Sequence, residues 1–96
     1  MDQKQSRNKQ RLTRQALRRL RIIKGQVEGL ARLIEGDEYC IEILNQSLAI
    51  QNSLKSLDAL ILERHLITHL PNQFRLEPER AVRELLKVFR RAHKGG

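Results

Sequence analysis

Apolar residues recur at Ala16, Leu20, Ile23, Val27, Leu30 and Ile34, a spacing of 4, 3, 4, 3, 4. That is the rhythm of a helix-packing seam. It predicts a first helix over about residues 11–35, with Gly36 as its C-terminal stop. A second pattern of helical period fills 39–69 with no Gly or Pro, and Pro71 stands just past its end. Ile43, Ile50, Leu54, Leu57 and Ile61 make one stripe, and Ile41, Leu44, Leu48, Leu62 and Leu66 make another. Together the stripes cover more than one face, so this helix is expected to be buried on two sides. Asp37 is its expected N-cap, with Glu38 in the first turn. Asn45, Gln46, Ser47, Gln51 and Asn52 interrupt the middle and are candidates for hydrogen bonds between helices. A loop is expected over about 71–75. A third helix then starts near Pro78, a residue suited to a first helical turn, and runs to about His93. Its apolar set is Val82, Leu85, Leu86 and Phe89. There is no strand pattern and no internal repeat. The expected fold is all-α with three helices: a polar, flexible tail at 1–10 and a single helical domain at 11–96.

Charge changes this picture on one face. The chain has 96 residues, with 19 Lys+Arg against 11 Asp+Glu and a net charge of +8. Arg11, Arg14, Arg18 and Arg21 follow a 3, 4, 3 spacing and centre almost opposite the apolar seam of the first helix. A solvated face ordinarily mixes signs, and this one does not. Phosphate contact is its expected use. Nucleic acid is the first polyanion to consider, a membrane surface the second. Aromatics make up only 3% and there is no Trp, which argues against stacking platforms for single strands and against RNA-reading sheets. No signal peptide, lipidation motif or apolar run of membrane length is found. One cysteine excludes an intrachain disulfide framework and fits a reducing cytoplasm.

The chemistry gathers on the second helix. Cys40, the only cysteine, opens it, and His65 and His69 close it. Taken singly, a lone Cys is commonly a small buried hydrophobe, and a His near a helix end a favourable cation at the dipole. The combination is more specific. His65 and His69 are four residues apart, one turn on one face. Cys40 lies 25 residues before His65 and faces nearly the same side, but at 1.5 Å per residue it is roughly 37 Å away. Metal–ligand bonds are about 2.0–2.3 Å long, so these three cannot meet within one helix. They can meet when a second copy lies antiparallel, which predicts two equivalent sites per dimer. His93 has no such partner. An enzyme is not expected: a Cys–His couple can form a nucleophile and base, but no oxyanion loop, Gly-rich cradle or carboxylate pair accompanies it.

The segments RLRIIKGQVEGLARLIEGDEYCIEIL, QNSLKS and ERHLITHL together resemble the copper-sensitive operon repressor (CsoR) family and its nickel/cobalt (RcnR) and formaldehyde (FrmR) relatives. The resemblance covers residues 12–70 continuously and the last helix loosely. It implies a repressor of double-stranded operator DNA, built as an antiparallel four-helix-bundle homodimer that pairs into a homotetramer. It implies a metal bridged between Cys40 of one chain and His65 and His69 of another, with DNA released on metal binding. Copper sensors usually carry a second Cys where this chain has His69. Cu(I) accepts low coordination and remains the expected ion, with Zn(II), Ni(II) and Co(II) as the alternatives that imidazole ligands suit. The nickel/cobalt sensors add a His near the N-terminus; here Asn8 stands near that place. The formaldehyde sensors carry an N-terminal Pro where this chain has Asp2.

By the same resemblance, Tyr39 and Glu84 would hold the metal ligands in orientation. The DNA surface would include Arg19, Arg21, Gln26 and Lys55, joined by Arg14 and Arg18 from the helical-wheel argument. With no helix-turn-helix pattern, recognition would lean on phosphates and DNA shape. Two rivals stand beside this: a sensor of formaldehyde or sulfur species using Cys40 alone, and a non-specific architectural DNA protein.

Overall fold

The computed structural model describes residues 3–94, with side chains described as far as Arg91. It is all-helical: α1 (Gln3–Glu35), α2 (Cys40–Thr68), α3 (Leu70–Leu76) and α4 (Pro78–Lys94). Among the described residues there are thus four helices, where the hydrophobic pattern predicts three.

The extra helix replaces the expected loop at 71–75. Pro71 has no N–H to donate to Ile67, and its ring crowds that carbonyl, so α2 cannot run through it. The same residue fits the first turn of a new helix. The chain therefore breaks at His69 (φ −110°, ψ −37°) and restarts at once as α3. His69 N–H donates to the His65 carbonyl at 3.0 Å, and Gln73 N–H to the His69 carbonyl at 3.1 Å, so His69 belongs to both helices. Glu77 makes the next joint. Its N–H donates to Gln73 O, its carbonyl accepts from Ala81 N–H, and Pro78 opens α4 as expected.

α1 begins at Gln3, well before the expected start near Arg11. Its end is also built differently. Asp37, not Gly36, takes the left-handed conformation, with φ 54°. Glu38 N–H donates to Leu33 O and Asp37 N–H to Ile34 O, both at 3.1 Å, closing a Schellman motif. Asp tolerates this conformation better than most side chains. Asp37 is therefore the C-terminal stop of α1 and not the N-cap of α2. The N-cap is Tyr39, through its backbone carbonyl alone, with no side-chain cap hydrogen bond.

α1 and α2 pack as an antiparallel hairpin. Its core is Leu12, Ala16 and Ile23 of α1 against Ile50 of α2, with Leu12 fully buried at 0% exposure. Leu12 stands four residues before Ala16 and extends the predicted seam by one turn, but Leu20, Val27 and Ile34 of that seam are 45%, 48% and 57% exposed. Gln46 settles which of the mid-helix amides joins the helices: its Nε2 donates to the Gln26 carbonyl at 3.0 Å. That bond ties the first half of α2 to the second half of α1. α4 packs on α3 and touches neither α1 nor α2 among the described residues.

The result is a plate of 54 × 31 × 13 Å. Its thickness is that of one helix with side chains, about 10–12 Å. A single layer has only one internal seam to bury. Ile43 and Leu57 of the first α2 stripe are half-buried beside Ile50. On the second stripe, Ile41, Leu44, Leu48 and Leu66 are 48%, 57%, 56% and 41% exposed. Burial on two sides, expected for α2, is met on one side within the chain.

Candidate metal and nucleic-acid sites

α2 fixes the spacing of the three candidate ligands. Cys40 is its first residue, His65 is in its last turn and His69 is its C-cap. At about 100° per residue the three lie within roughly 40° of one another around the helix. They sit between the α1-facing seam and the exposed apolar stripe. Cys40 is a free, exposed thiol. His65 is half-buried and His69 exposed, with ring centroids 5.8 Å apart and planes tilted by 39°. Two imidazoles bound to one ion at about 2.0–2.1 Å have centroids roughly 5–6 Å apart, so the spacing of this pair is in the range of a shared ion. The backbone bond from His69 to His65 holds the one-turn relation at the α2–α3 break. Thr68 reinforces the turn by donating its buried hydroxyl to Arg64 O at 2.8 Å.

Among the described residues no three His, Cys, Asp or Glu side chains gather in one chain. The helix keeps Cys40 and the two histidines at its opposite ends, so they do not meet within one chain. Because the hairpin is antiparallel, the first turns of α1 reach the His65–His69 end, while Cys40 sits by the 36–39 turn. Asn8, half-buried on α1, belongs to that first end. Asp2 and the side chain of His93 lie outside the described residues.

The groups expected to orient the ligands are separate in the single chain. Tyr39, immediately before Cys40, is 71% exposed. Glu84 on α4 accepts from Arg80 Nε at 3.1 Å, and Arg80 also donates to Glu77 at 3.2 Å. The hydrogen bond from Arg80 to Glu84, followed by the nearby Glu77 charge, raises the Arg80 guanidinium above its ordinary range.

The candidate DNA residues divide into two groups. Arg14, Arg18 and Arg21 are exposed on the side of α1 away from the seam, and Lys55 is exposed on α2. Arg19 and Gln26 are half-buried at the seam's edge. The Gln26 side-chain oxygen is buried with no hydrogen-bond partner, while its backbone carbonyl holds Gln46.

A family model described as metal-sensitive transcriptional repressor matches residues 12–91. The chain belongs to this family. The copper-sensing transcriptional repressor CsoR of Bacillus subtilis is 34% identical over 92 residues, covering 95% of this chain and 87% of that protein. The copper-sensing repressor RicR of Mycobacterium tuberculosis is 47% identical over 49 residues, covering 51% of each protein. CsoR of the same organism is 38% identical over 55 residues, covering 57% of this chain and 46% of its own length. The chain thus spans about half the length of these two mycobacterial relatives and most of the Bacillus one. No solved structure matches it significantly.

Membership of the metal-sensitive repressor family makes the protein a regulator and not an enzyme. The match takes in Cys40, His65, His69 and the basic face of α1 from Arg14 onward. Among the described residues no helix is long and apolar enough to cross a membrane.

Proposed function

We propose that this protein is a cytoplasmic repressor that holds double-stranded operator DNA in its metal-free form. Binding of Cu(I) releases it and derepresses metal efflux genes. The observation that carries this reading is the placement of Cys40, His65 and His69: one phase of α2, opposite ends of it. Such a set closes only when two α2 helices lie antiparallel.

The plate itself supports such pairing. Its accessible surface is 7759 Å², against about 5,700 Å² for a compact monomer of this mass. The excess, about 2,000 Å², is of the size that an obligate interface removes. Two hairpins stacked on the Ile41–Leu44–Leu48 side would give a four-helix bundle, and α4 would supply the face for a second dimer.

In the dimer, Cys40 of one chain and His65 and His69 of its partner would hold the ion. A thiolate with two imidazoles suits Cu(I), which the relatives RicR and CsoR are named for sensing. The set also accommodates Zn(II), Ni(II) or Co(II). Drawing these three donors together fixes the offset of the two α2 helices. Tyr39 and Glu84 would hold the donors in orientation from around the site. Arg14, Arg18, Arg19, Arg21, Gln26 and Lys55 would ride on the same helices, so a change of offset alters their match to DNA phosphates. This is coupling between two sites through one scaffold.

The test is anaerobic fluorescence anisotropy on a duplex from the protein's own promoter. Cu(I), Zn(II), Ni(II) and Co(II) are added in turn, each with a competing chelator. Release by Cu(I) alone, at about one ion per chain, is expected. Release by another ion reassigns the metal. Release by none, but by formaldehyde or a persulfide, moves the chemistry to the exposed Cys40 thiol alone.

A further inference from the structure

We infer that α4 carries a second DNA-backbone contact surface, formed by Arg83, Lys87, Arg90 and Arg91. This rests on the reading of the chain as a DNA-binding repressor and adds a surface that the α1 face does not include.

At about 100° per residue these four cations fall within a sector of roughly 100° on α4. Val82, Leu85 and Phe89 occupy the opposite side. All four cations are exposed, and none has an ion pair among the described residues. Glu77 and Glu84 both engage Arg80; Glu79, one turn before Arg83, is the acid left beside the stripe, against its four cations. Arg83 with Lys87, and Lys87 with Arg91, are like-charged pairs one turn apart, an arrangement that weakens a helix. A helix that needed only solubility would alternate signs there.

A polyanion with regularly spaced charges removes that repulsion. The stripe is about 12 Å long, and each strand of a duplex presents a charge about every 3.4 Å along the axis. Positions 80, 83, 87 and 90 repeat the 3, 4, 3 spacing of Arg11, Arg14, Arg18 and Arg21 on α1. A lipid surface is the poorer fit. Insertion would need the apolar side of α4, where Val82 and Phe89 are 43% and 64% exposed, and the proposed second dimer takes that same side.

The experiment uses the full chain and two double variants, Arg83→Gln with Lys87→Gln and Arg90→Gln with Arg91→Gln. Gln keeps helix propensity close to that of Lys and Arg. The slope of log K against log salt is measured on the promoter duplex and on a random duplex of equal length. Helix content and oligomeric state are checked alongside. The slope should fall by about 1.8 for each chain whose α4 touches the duplex, about 0.9 for each phosphate no longer neutralised, by the same amount on both duplexes. An unchanged slope, with the unaltered protein still binding the promoter, overturns this inference and leaves the repressor reading standing. If variants bind DNA as before but lose attachment to equimolar phosphatidylglycerol–phosphatidylcholine vesicles, the surface is a membrane one and the inference is overturned. Failure of the unaltered protein to bind any duplex sinks the repressor reading and this surface with it.

Discussion

The two apolar faces of α2 have opposite fates. The face toward α1 is closed in part within the chain, while Leu20, Val27 and Ile34 of α1 and Leu54 and Ile61 of α2 stay 42–57% exposed. Leu12, Ala16, Ile23 and Ile50 form the buried part, and Gln46 ties the two helices through one bond to the Gln26 carbonyl. The outer face, with Leu44 and Leu48 more than half exposed, has nothing of this chain to pack on. Cys40, His65 and His69 lie along the boundary between the two. Hydrophobic burial therefore separates what one chain specifies alone from what it must share. The three candidate ligands sit at the edge of the exposed face, where packing against another copy would reach them.

The contrast is broken most severely from the inner side. Leu12→Ala should destabilise the hairpin by about 2–5 kcal/mol, the usual cost of a buried Leu-to-Ala change. Chemical denaturation reads this, and a loss below about 1 kcal/mol would mean the seam is not the core. On the outer side, Leu48→Glu places a charge in the inferred interface. It should weaken self-association by about 30-fold or more, roughly 2 kcal/mol. Sedimentation velocity over a dilution series measures it, while helix content at high concentration stays near that of the parent. Unaltered association would show that the second stripe is not the contact.

Smaller effects sharpen the comparison at the boundary itself. Arg14→Gln with Arg18→Gln should lower the salt slope of DNA binding by about 1.8 per chain in contact with the duplex, without altering metal affinity. A matching loss of metal affinity would show the basic face to be part of the metal site. Tyr39→Phe should cost about 10-fold in metal affinity, the scale of a lost orienting partner, and leave metal-free DNA binding as it was. Competition with a chelator of known strength reads the first, anisotropy the second. No change in metal affinity would remove Tyr39 from the site.

The sequence pattern located much of this. α2 has nearly the bounds that the uninterrupted 39–69 pattern predicts, and Pro78 opens α4 as expected. The phase of Cys40 with the histidines follows from helix geometry alone. What escaped has identifiable causes. α3 was hidden because Pro71 signals a break, and the same residue also permits a helix start, so periodicity over its seven residues cannot decide. Asp37 was assigned to the wrong helix because Asp suits both an N-cap and a left-handed C-terminal stop; only backbone geometry separates them. Leu12 continues the 4, 3 rhythm by one turn just inside the expected start of the helix, beside the polar stretch 1–10. Arg19 and Gln26 lie near the seam, where sequence similarity to a family gives residue type without exposure.

A metal site divided between chains can be rebuilt from two defective ones. Cys40→Ala protein and His65→Ala/His69→Ala protein are each titrated with Cu(I) against a chelator, then unfolded together, refolded as a mixture and titrated again. Neither variant alone should compete for the ion. The mixture should recover about a quarter of the parent's tight sites, because half of the dimers are mixed and each restores one of two symmetric sites. A mixture that binds no better than its components, with mixed dimers shown to form, would contradict the shared site.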